Sequence, residues 1–357
     1  MEQPWIKEAF DGELPEDFHG GVKWQSPSNI ALVKYWGKKG VQLPQNPSIS
    51  FTLKDCRTET SVFYEKSDRF GMTFHFDGKT NAEFQLKIER FLMDQKPCFP
   101  FLSQLDLHIH SHNTFPHSSG IASSASSMSA LVLCLLDIER AARGGETIDM
   151  RKASYFSRLA SGSACRSLFP KMALWGATDA FKGSSDDYAV TLEEVIHPVF
   201  KTYHDSILIV SDAQKAISSR AGHALMDTNP YAPVRYENAE NHVASLLDAL
   251  RSGDLQRFIE ITESEAMQLH ALMMCSTPAF ILMKPNTLRI IQSVLEFRAE
   301  TDIPVCFTLD AGPNVHVLYP DQNAEIVERF ILDELEHYCS GGLWLADKTG
   351  DGPSRTN

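Results

Sequence analysis

The stretch Asn113-Thr-Phe-Pro-His-Ser-Ser-Gly-Ile-Ala-Ser-Ser-Ala-Ser-Ser-Met-Ser-Ala130 constrains this chain more than any other. Pro116 and Gly120 punctuate a loop, and Ala122, Ser123, Ser124 and Ala125 follow it. Met128, Leu131, Leu135 and Ile138 then recur at helical spacing. Upstream, residues 105–112 alternate apolar and polar side chains, as a half-buried strand does. The segment therefore reads as strand, hydroxyl-rich tight loop and start of a buried helix. The first N–H groups of a helix have no partner within it and carry the positive end of its dipole. With glycine for close approach and serine hydroxyls as further donors, such a loop suits a phosphate group. It lacks both the Gly-Lys-Ser/Thr ending of a P-loop and a GxGxxG turn. Taken singly, a Ser-Ser pair reads as an ordinary capped helix N-terminus; it is the whole pattern between strand and apolar helix that is uncommon.

The chain has 357 residues, 43% of them hydrophobic, enough for a full core in one large or two medium domains. A net charge of -13 argues against nucleic acid or an anionic membrane as partner. A phosphate site must then supply its own local positive charge. The seven cysteines stand singly at 56, 98, 134, 165, 275, 306 and 339 without a CxxC pair, the usage of reduced thiols in a cytosol. No stretch approaches the ~20 apolar residues of a membrane span, and the N-terminus lacks a basic-then-apolar signal. A cytoplasmic location is expected.

Residues 1–25 are weakly patterned. Residues 29–36 form an apolar strand that runs into the turn Tyr35-Trp36-Gly37-Lys38-Lys39-Gly40. Strands are expected at 48–53, 58–64 and 72–76, antiparallel to one another, and helices at 81–92, 148–157 and up to residue 142. Short strands at 172–175 and 189–192 precede a buried strand at 206–211 that opens a second domain. Helices at 236–250, 255–268, 286–300 and 324–335 surround a strand pair, 305–310 with 315–319. Elements interleave without a regular βαβ beat, so the class is α+β, divided into domains 1–204 and 205–357. The polar end, 348–357, reads as a frayed tail.

Four places could carry chemistry. Lys34, Tyr35 and Lys38 put two cations and a phenol into one turn, where Gly37 lets the backbone bend. Ser161-Gly-Ser-Ala-Cys-Arg166 offers hydroxyls at Ser161 and Ser163 and the planar fork of Arg166; it could also be a capped helix with a surface arginine. Residues 215–222 present Ser219 and Arg220. In Thr308-Leu-Asp-Ala-Gly-Pro-Asn314, Asp310 ends a strand, and it could serve simply to start the turn. His108, His110 and His112 share one face of a strand and could hold a metal. In sequence no cysteine or acid cluster completes that site, so they are read as an exposed strand side.

Taken with these four places, the loop of the first paragraph resembles the phosphate-binding motif of the GHMP kinase superfamily. Asn29-Ile-Ala-Leu-Val-Lys-Tyr-Trp-Gly-Lys38, the Ser161–Arg166 hexapeptide, Ser219-Arg220 and Asp310-Ala-Gly-Pro-Asn314 resemble, more narrowly, the diphosphomevalonate decarboxylases. The resemblance spans residues 26 to 335. It implies the two-lobed α+β GHMP-kinase fold, with a ribosomal S5 domain 2-like N-terminal lobe and a ferredoxin-like C-terminal lobe. It implies ATP with Mg²⁺ on Pro116, Ser119, Gly120, Ala122, Ser123 and Ser124. It places a diphosphate on Tyr35, Lys38, Ser161 and Arg166, and a carboxylate on Ser163 with Arg166 or Ser219 with Arg220. It makes Asp310 the catalytic carboxylate, with Lys34 beside the reacting carbon; that ammonium would keep Asp310 ionised. No metal ligands of the protein's own are implied, and members commonly form homodimers. The implied activity is ATP-dependent decarboxylation of mevalonate diphosphate. Alternatives are a sister enzyme on mevalonate or its monophosphate, a kinase that stops after phosphoryl transfer, or a non-catalytic binding protein. The chain departs from the family pattern at His223, where bacterial members carry Met, at Pro47 after Asn46, and at His117-Ser118-Ser119.

Overall fold

The computed structural model describes residues 5–116, 121, 123–145, 147–213 and 219–356, with backbone alone at 219 and 220. Two sheets organise it. The first is built from β1 (His19–Ala31), β4 (Ser48–Lys66), β5 (Gly71–Phe76), β6 (Lys79–Thr80), β7 (Leu105–Asn113), β8 (Met172–Trp175), β9 (Ala189–Thr191) and β14 (Ser354–Arg355). Its order is β14-β1-β4-β7-β5-β6, and β8 pairs with both β4 and β9. A two-stranded ribbon, β2 (Lys38–Lys39) with β3 (Leu43–Pro44), stands apart.

Helices α1 (Ala82–Asp94), α2 (Ser123–Ala142) and α3 (Met150–Ala160) go with this sheet. Val62, Leu107 and Ile109 from the strands meet Leu131, Leu135 and Phe156 from the helices in one apolar cluster. α2 is buried from Ala125 to Glu139, which is why small residues fill its first turns. Its bounds follow the periodicity closely, because a helix covered on all sides shows an unbroken apolar pattern.

The second sheet holds β10 (His204–Leu208), β11 (Cys306–Thr308), β12 (Val315–Tyr319) and β13 (Trp344–Lys348), all antiparallel, in the order β11-β12-β10-β13. Helices α4 (Pro198–Lys201) and α5 (Ser219–Ala224) flank β10. The long α6 (Ala232–Ser252), α7 (Leu255–Met274) and α8 (Pro285–Thr301) connect β10 to β11, and α9 (Ala324–Phe330) precedes β13. This βαββαβ order is the split arrangement of ferredoxin-like lobes. The lobes share a core: Ile30, Leu32 and Phe51 pack in one cluster with Ile207, Val243, Leu246 and Phe258.

Four expectations are corrected. β1 begins at His19, inside the stretch read as a lead-in, and ends at Ala31, so Lys34 to Trp36 lie in a turn. The two strands expected between 48 and 64 are one strand of 19 residues. β5 runs antiparallel to β4 as expected but does not pair with it: β7 lies between them, antiparallel to β4 and parallel to β5, because α1 and a long loop carry the chain back before β7. The supposed frayed tail is β14, paired through Trp24↔Arg355. Its anchor is Asp137, buried on α2, whose Oδ2 accepts from Arg355 Nε at 2.6 Å and Trp24 Nε1 at 3.1 Å.

β13 locks the lobes together. Asp347, 3% exposed, accepts from the backbone N–H groups of Lys54 (2.8 Å) and Asp55 (3.0 Å) at Oδ1 and of Cys56 (2.7 Å) at Oδ2. One carboxylate thus satisfies three amides where β4 passes from one partner strand to another. Asp347→Ala leaves those amides without acceptors, at ~1–3 kcal/mol for each buried one. We expect urea unfolding to show a loss of several kcal/mol, with Asp347→Asn intermediate.

Candidate active site

Leu32 and Val33 are fully buried, and both donate their N–H to Ile49 O, at 2.8 and 3.2 Å. They draw the next residue inward, so Lys34 is only 1% exposed. Its Nζ donates to Ala31 O at 2.5 Å and to Asp310 Oδ1 at 3.1 Å. Burial pushes the ammonium below its ordinary value while Asp310 pulls it back up. The Lys34 backbone is held at both ends. Its N–H donates to Glu265 Oε2 at 2.7 Å, and its carbonyl accepts from Asn46 Nδ2 at 3.0 Å.

Glu265, on α7 and fully buried, also accepts from Arg235 and from His242 Nδ1 at 2.6 Å. Sequence reasoning passed over this carboxylate. A signal existed: it lies four residues from both Ile261 and Leu269, on the apolar stripe of its helix.

Asp310 sits in the turn between β11 and β12. Its carbonyl accepts from Gly312 N at 2.7 Å and from His270 Nε2 at 3.1 Å. Beyond it, Asn314 Oδ1 accepts from Ser211 N at 3.0 Å, and Pro313 O accepts from Thr287 Oγ1 at 2.6 Å. The turn is fixed on several sides, yet the Asp310 side chain keeps 27% exposure toward the cleft. Burial above all holds His270 down to about 4, so at neutral pH it is uncharged.

The second wall comes from the hexapeptide, which forms a 3₁₀ turn after α3. Arg166 is 3% exposed. Its Nε donates to Asn29 Oδ1 at 3.3 Å, its Nη1 donates to Ser48 Oγ, and its guanidinium lies 5.9 Å from the Trp175 ring centre. Asn29 Nδ2 in turn donates to Ser163 O at 3.2 Å and Ser167 Oγ at 2.8 Å. Ser161 Oγ reaches Ser124 Oγ at 3.5 Å, so the end of α3 meets the first turn of α2. Tyr35 OH is buried with no hydrogen-bond partner among the described residues. A Cβ at Gly162 would lie 2.6 Å from it. Lys38 Nζ rests on Gln42 Oε1 at 2.5 Å.

These groups line a cleft of about 810 Å³, among them Lys34, Tyr35, Lys38, Ser163, Arg166 and Asp310, with Ser124 and Ser161 beside them. The structure thus brings together eight of the residues singled out in sequence. Ser123 opens α2, and Pro116 follows β7. Ser119, Gly120 and Ala122 lie outside the described residues, as do the side chains of Ser219 and Arg220. An unforeseen wall is α1, which adds Phe84, Lys87 and Arg90. Its amphipathic pattern looked like any surface helix packed on a core. The arrangement can bind a polyanion through hydroxyls and cations, and it can move a hydroxyl proton at Asp310.

Outside the cleft, the histidine strand has more company than the sequence implied. Cross-strand pairing sets Glu65 opposite Asp106, and ligand atoms of Glu65, Asp106 and His108 lie within 4.8 Å of one another. His108 Nδ1 bonds Thr73 Oγ1 at 2.9 Å, and His110 stacks on His75.

His270 and His223 are both buried neutral; burial holds His223 down to about 3. The folded state therefore binds fewer protons than the unfolded one below pH ~6.5. Stability is fully present above that value and falls as pH drops toward 4, by up to ~1.4 kcal/mol per pH unit for each group. Urea unfolding at pH 7 and pH 5 should show this loss, and His270→Gln should flatten it by about one proton.

Residues 26–189 match the family model for the diphosphomevalonate decarboxylase-like N-terminal domain, and residues 206–342 that for the mevalonate 5-diphosphate decarboxylase C-terminal domain. The diphosphomevalonate decarboxylase of Candida albicans is 30% identical over 342 residues, covering 92% of this chain and 91% of its own. That of Saccharomyces cerevisiae is 33% identical over 327 residues, covering 86% and 79%. Among solved structures, MDDEF in complex with MVAPP, AMPPCP and magnesium superposes with a TM-score of 0.80 at 28% identity, covering 95% of this chain and all (100%) of that one. Mevalonate diphosphate decarboxylase from Staphylococcus aureus gives 0.83 at 26%, covering 95% and 99%.

Proposed function

This chain belongs to the diphosphomevalonate decarboxylase family, and on that premise we propose that it converts mevalonate 5-diphosphate and ATP to isopentenyl diphosphate, ADP, phosphate and carbon dioxide. The observation that carries the reading is the Asp310 carboxylate paired with the buried Lys34 ammonium in a cleft whose other wall is cationic and rich in hydroxyls. A 3-hydroxy acid does not lose carbon dioxide readily. Hydroxide is a poor leaving group, and no carbonyl stands where the electrons must go. Transfer of the γ-phosphoryl group of ATP to the tertiary hydroxyl supplies a good leaving group. Phosphate then departs, positive charge develops on that carbon, and the carboxylate leaves as carbon dioxide.

Each step needs a group that the cleft offers. Asp310 takes or orients the hydroxyl proton, and Lys34 holds that carboxylate ionised and in place. Tyr35, Lys38, Ser161 and Arg166 anchor the diphosphate. The buried, unpartnered Tyr35 OH fits this role, since a donor in that position lacks only an oxygen acceptor. Ser163 with Arg166, or Ser219 with Arg220, orients the carboxylate. The loop through Pro116, Ser119, Gly120 and Ala122 and the hydroxyls of Ser123 and Ser124 take the nucleotide phosphates, with Lys87 and Arg90 of α1 as further cations lining the same cleft as Ser124. Mg²⁺ bound with the nucleotide neutralises phosphate charge, and the Ser123 and Ser124 hydroxyl oxygens suit such a hard cation.

We extend the reading to a homodimer working in the cytosol, from two lobes dividing near residue 205. None of the seven cysteines is in a disulfide and six are buried, and among the described residues no helix is long and apolar enough to cross a membrane.

Two variants test the site. Asp310→Ala should lower kcat roughly 10²–10⁴-fold while calorimetry still finds mevalonate diphosphate bound; unchanged kcat would remove Asp310 from the chemistry. Tyr35→Phe deletes a buried hydroxyl that no described group satisfies. It should leave the melting temperature unchanged or raised, yet increase KM for mevalonate diphosphate roughly tenfold, as loss of one strong hydrogen bond does. Release of labelled carbon dioxide with equimolar ADP separates decarboxylation from phosphoryl transfer alone.

A further inference from the structure

Helix α5 lays Gly222 and His223 against the Tyr35–Lys38 turn. His223 is 8% exposed and lines the cleft. Its ring centre lies 4.6 Å from that of Tyr35 and 4.5 Å from that of Trp36, stacked on the latter. Its Nδ1 accepts the N–H of Gly37 at 2.9 Å, so in the neutral ring the proton sits on Nε2. Gly37 has φ of +98°, a conformation open to glycine. Gly222 is small for a separate reason: a Cβ there would come 2.5 Å from the Trp36 ring.

The contacts set the aim of the turn. Tyr35 is packed by His223 on one side and by Trp175, 4.6 Å between ring centres, on another. The direction of its hydroxyl therefore depends on the imidazole staying where it is. Lys38 follows directly on Gly37, whose amide the imidazole holds. The same ring ties to this turn the short helix whose first residues are Ser219 and Arg220.

We infer that His223 is a positioning residue for the substrate: its imidazole clasps α5 to the Tyr35–Lys38 turn and so aims both diphosphate-binding side chains. This rests on the assignment of Tyr35 and Lys38 made under the proposed function. His223 itself transfers no proton, and the reaction's bonds are those already described.

The test compares His223→Leu, which fills the space without an acceptor, with His223→Asn, whose amide oxygen replaces Nδ1. Calorimetric titration with mevalonate diphosphate, without nucleotide, reads the turn directly. The leucine variant should bind roughly tenfold more weakly, the loss expected when a buried N–H loses its acceptor. The asparagine variant should recover most of that affinity. In steady state, KM for mevalonate diphosphate should rise with the leucine variant while KM for ATP stays at the wild-type value. A leucine variant with wild-type affinity overturns the inference, even if it melts earlier, because the residue would then serve stability alone. Equal weakening in both variants overturns it as well. A wild-type protein that fails to bind mevalonate diphosphate would instead strike the proposed function, and the inference with it.

Discussion

The Lys34 ammonium, 1% exposed, is the constraint around which the two lobes are arranged. A charge taken out of water is costly unless it is paired and hydrogen-bonded. The first lobe offers it one backbone carbonyl, at Ala31. Its counter-charge comes from the second lobe, as Asp310 in a turn 276 residues away. The backbone at Lys34 likewise depends on the second lobe, through the buried Glu265 of α7. Pairing and geometry reinforce each other. The lobes bury a common apolar core, Asp347 ties β13 to β4, and the cleft opens where that core ends and charged groups begin.

The electrostatic layout follows from this. The chain is acidic overall, at -13, while the cleft gathers Lys34, Lys38, Arg166, Lys87 and Arg90. Local cations of this kind are what an anionic ligand needs on a chain that is acidic as a whole. Three of these cations are held by their surroundings, Lys34 by Ala31 and Asp310. Arg166 is braced by Asn29 and Ser48 and faces Trp175, and Lys38 rests on Gln42. Groups already fixed in place lose little freedom when a ligand binds, and an electrostatic site gains most from such preorganisation.

The parts of the fold that could be read from sequence are those buried along their whole length. α2, β8 and β12 show themselves as dense apolar runs because nearly every residue in them is covered. β1 did not, since its first half buries little beyond Val22 and draws its structure from pairing with β4. β5 has a normal strand pattern, but its direction is a matter of which neighbour it joins, and it joins β7 in parallel. The polar end of the chain carries no apolar signal at all. It pairs with β1, and its Arg355 joins Arg140 on the carboxylate of Asp137, buried on α2. Of the acids near His108, Asp106 lies two residues away on the same strand, and register with β4 adds Glu65.

The sequence by itself determined the types of group the site would use. The phosphate-loop pattern, the Lys-Tyr-Trp-Gly-Lys turn, the hexapeptide ending in Arg166 and Asp310 before Ala-Gly-Pro-Asn are local, and local chemistry is written in adjacent residues. Only the tertiary structure decided what stands next to what. It placed Asp310 3.1 Å from Lys34, left Tyr35 OH without a partner among the described residues, set His223 between two aromatic rings, and made α1 a wall of the cleft. Those relations join residues as much as 276 positions apart. They arise from packing and from the need of buried charges for partners, and neither has a period that a single stretch of chain can display.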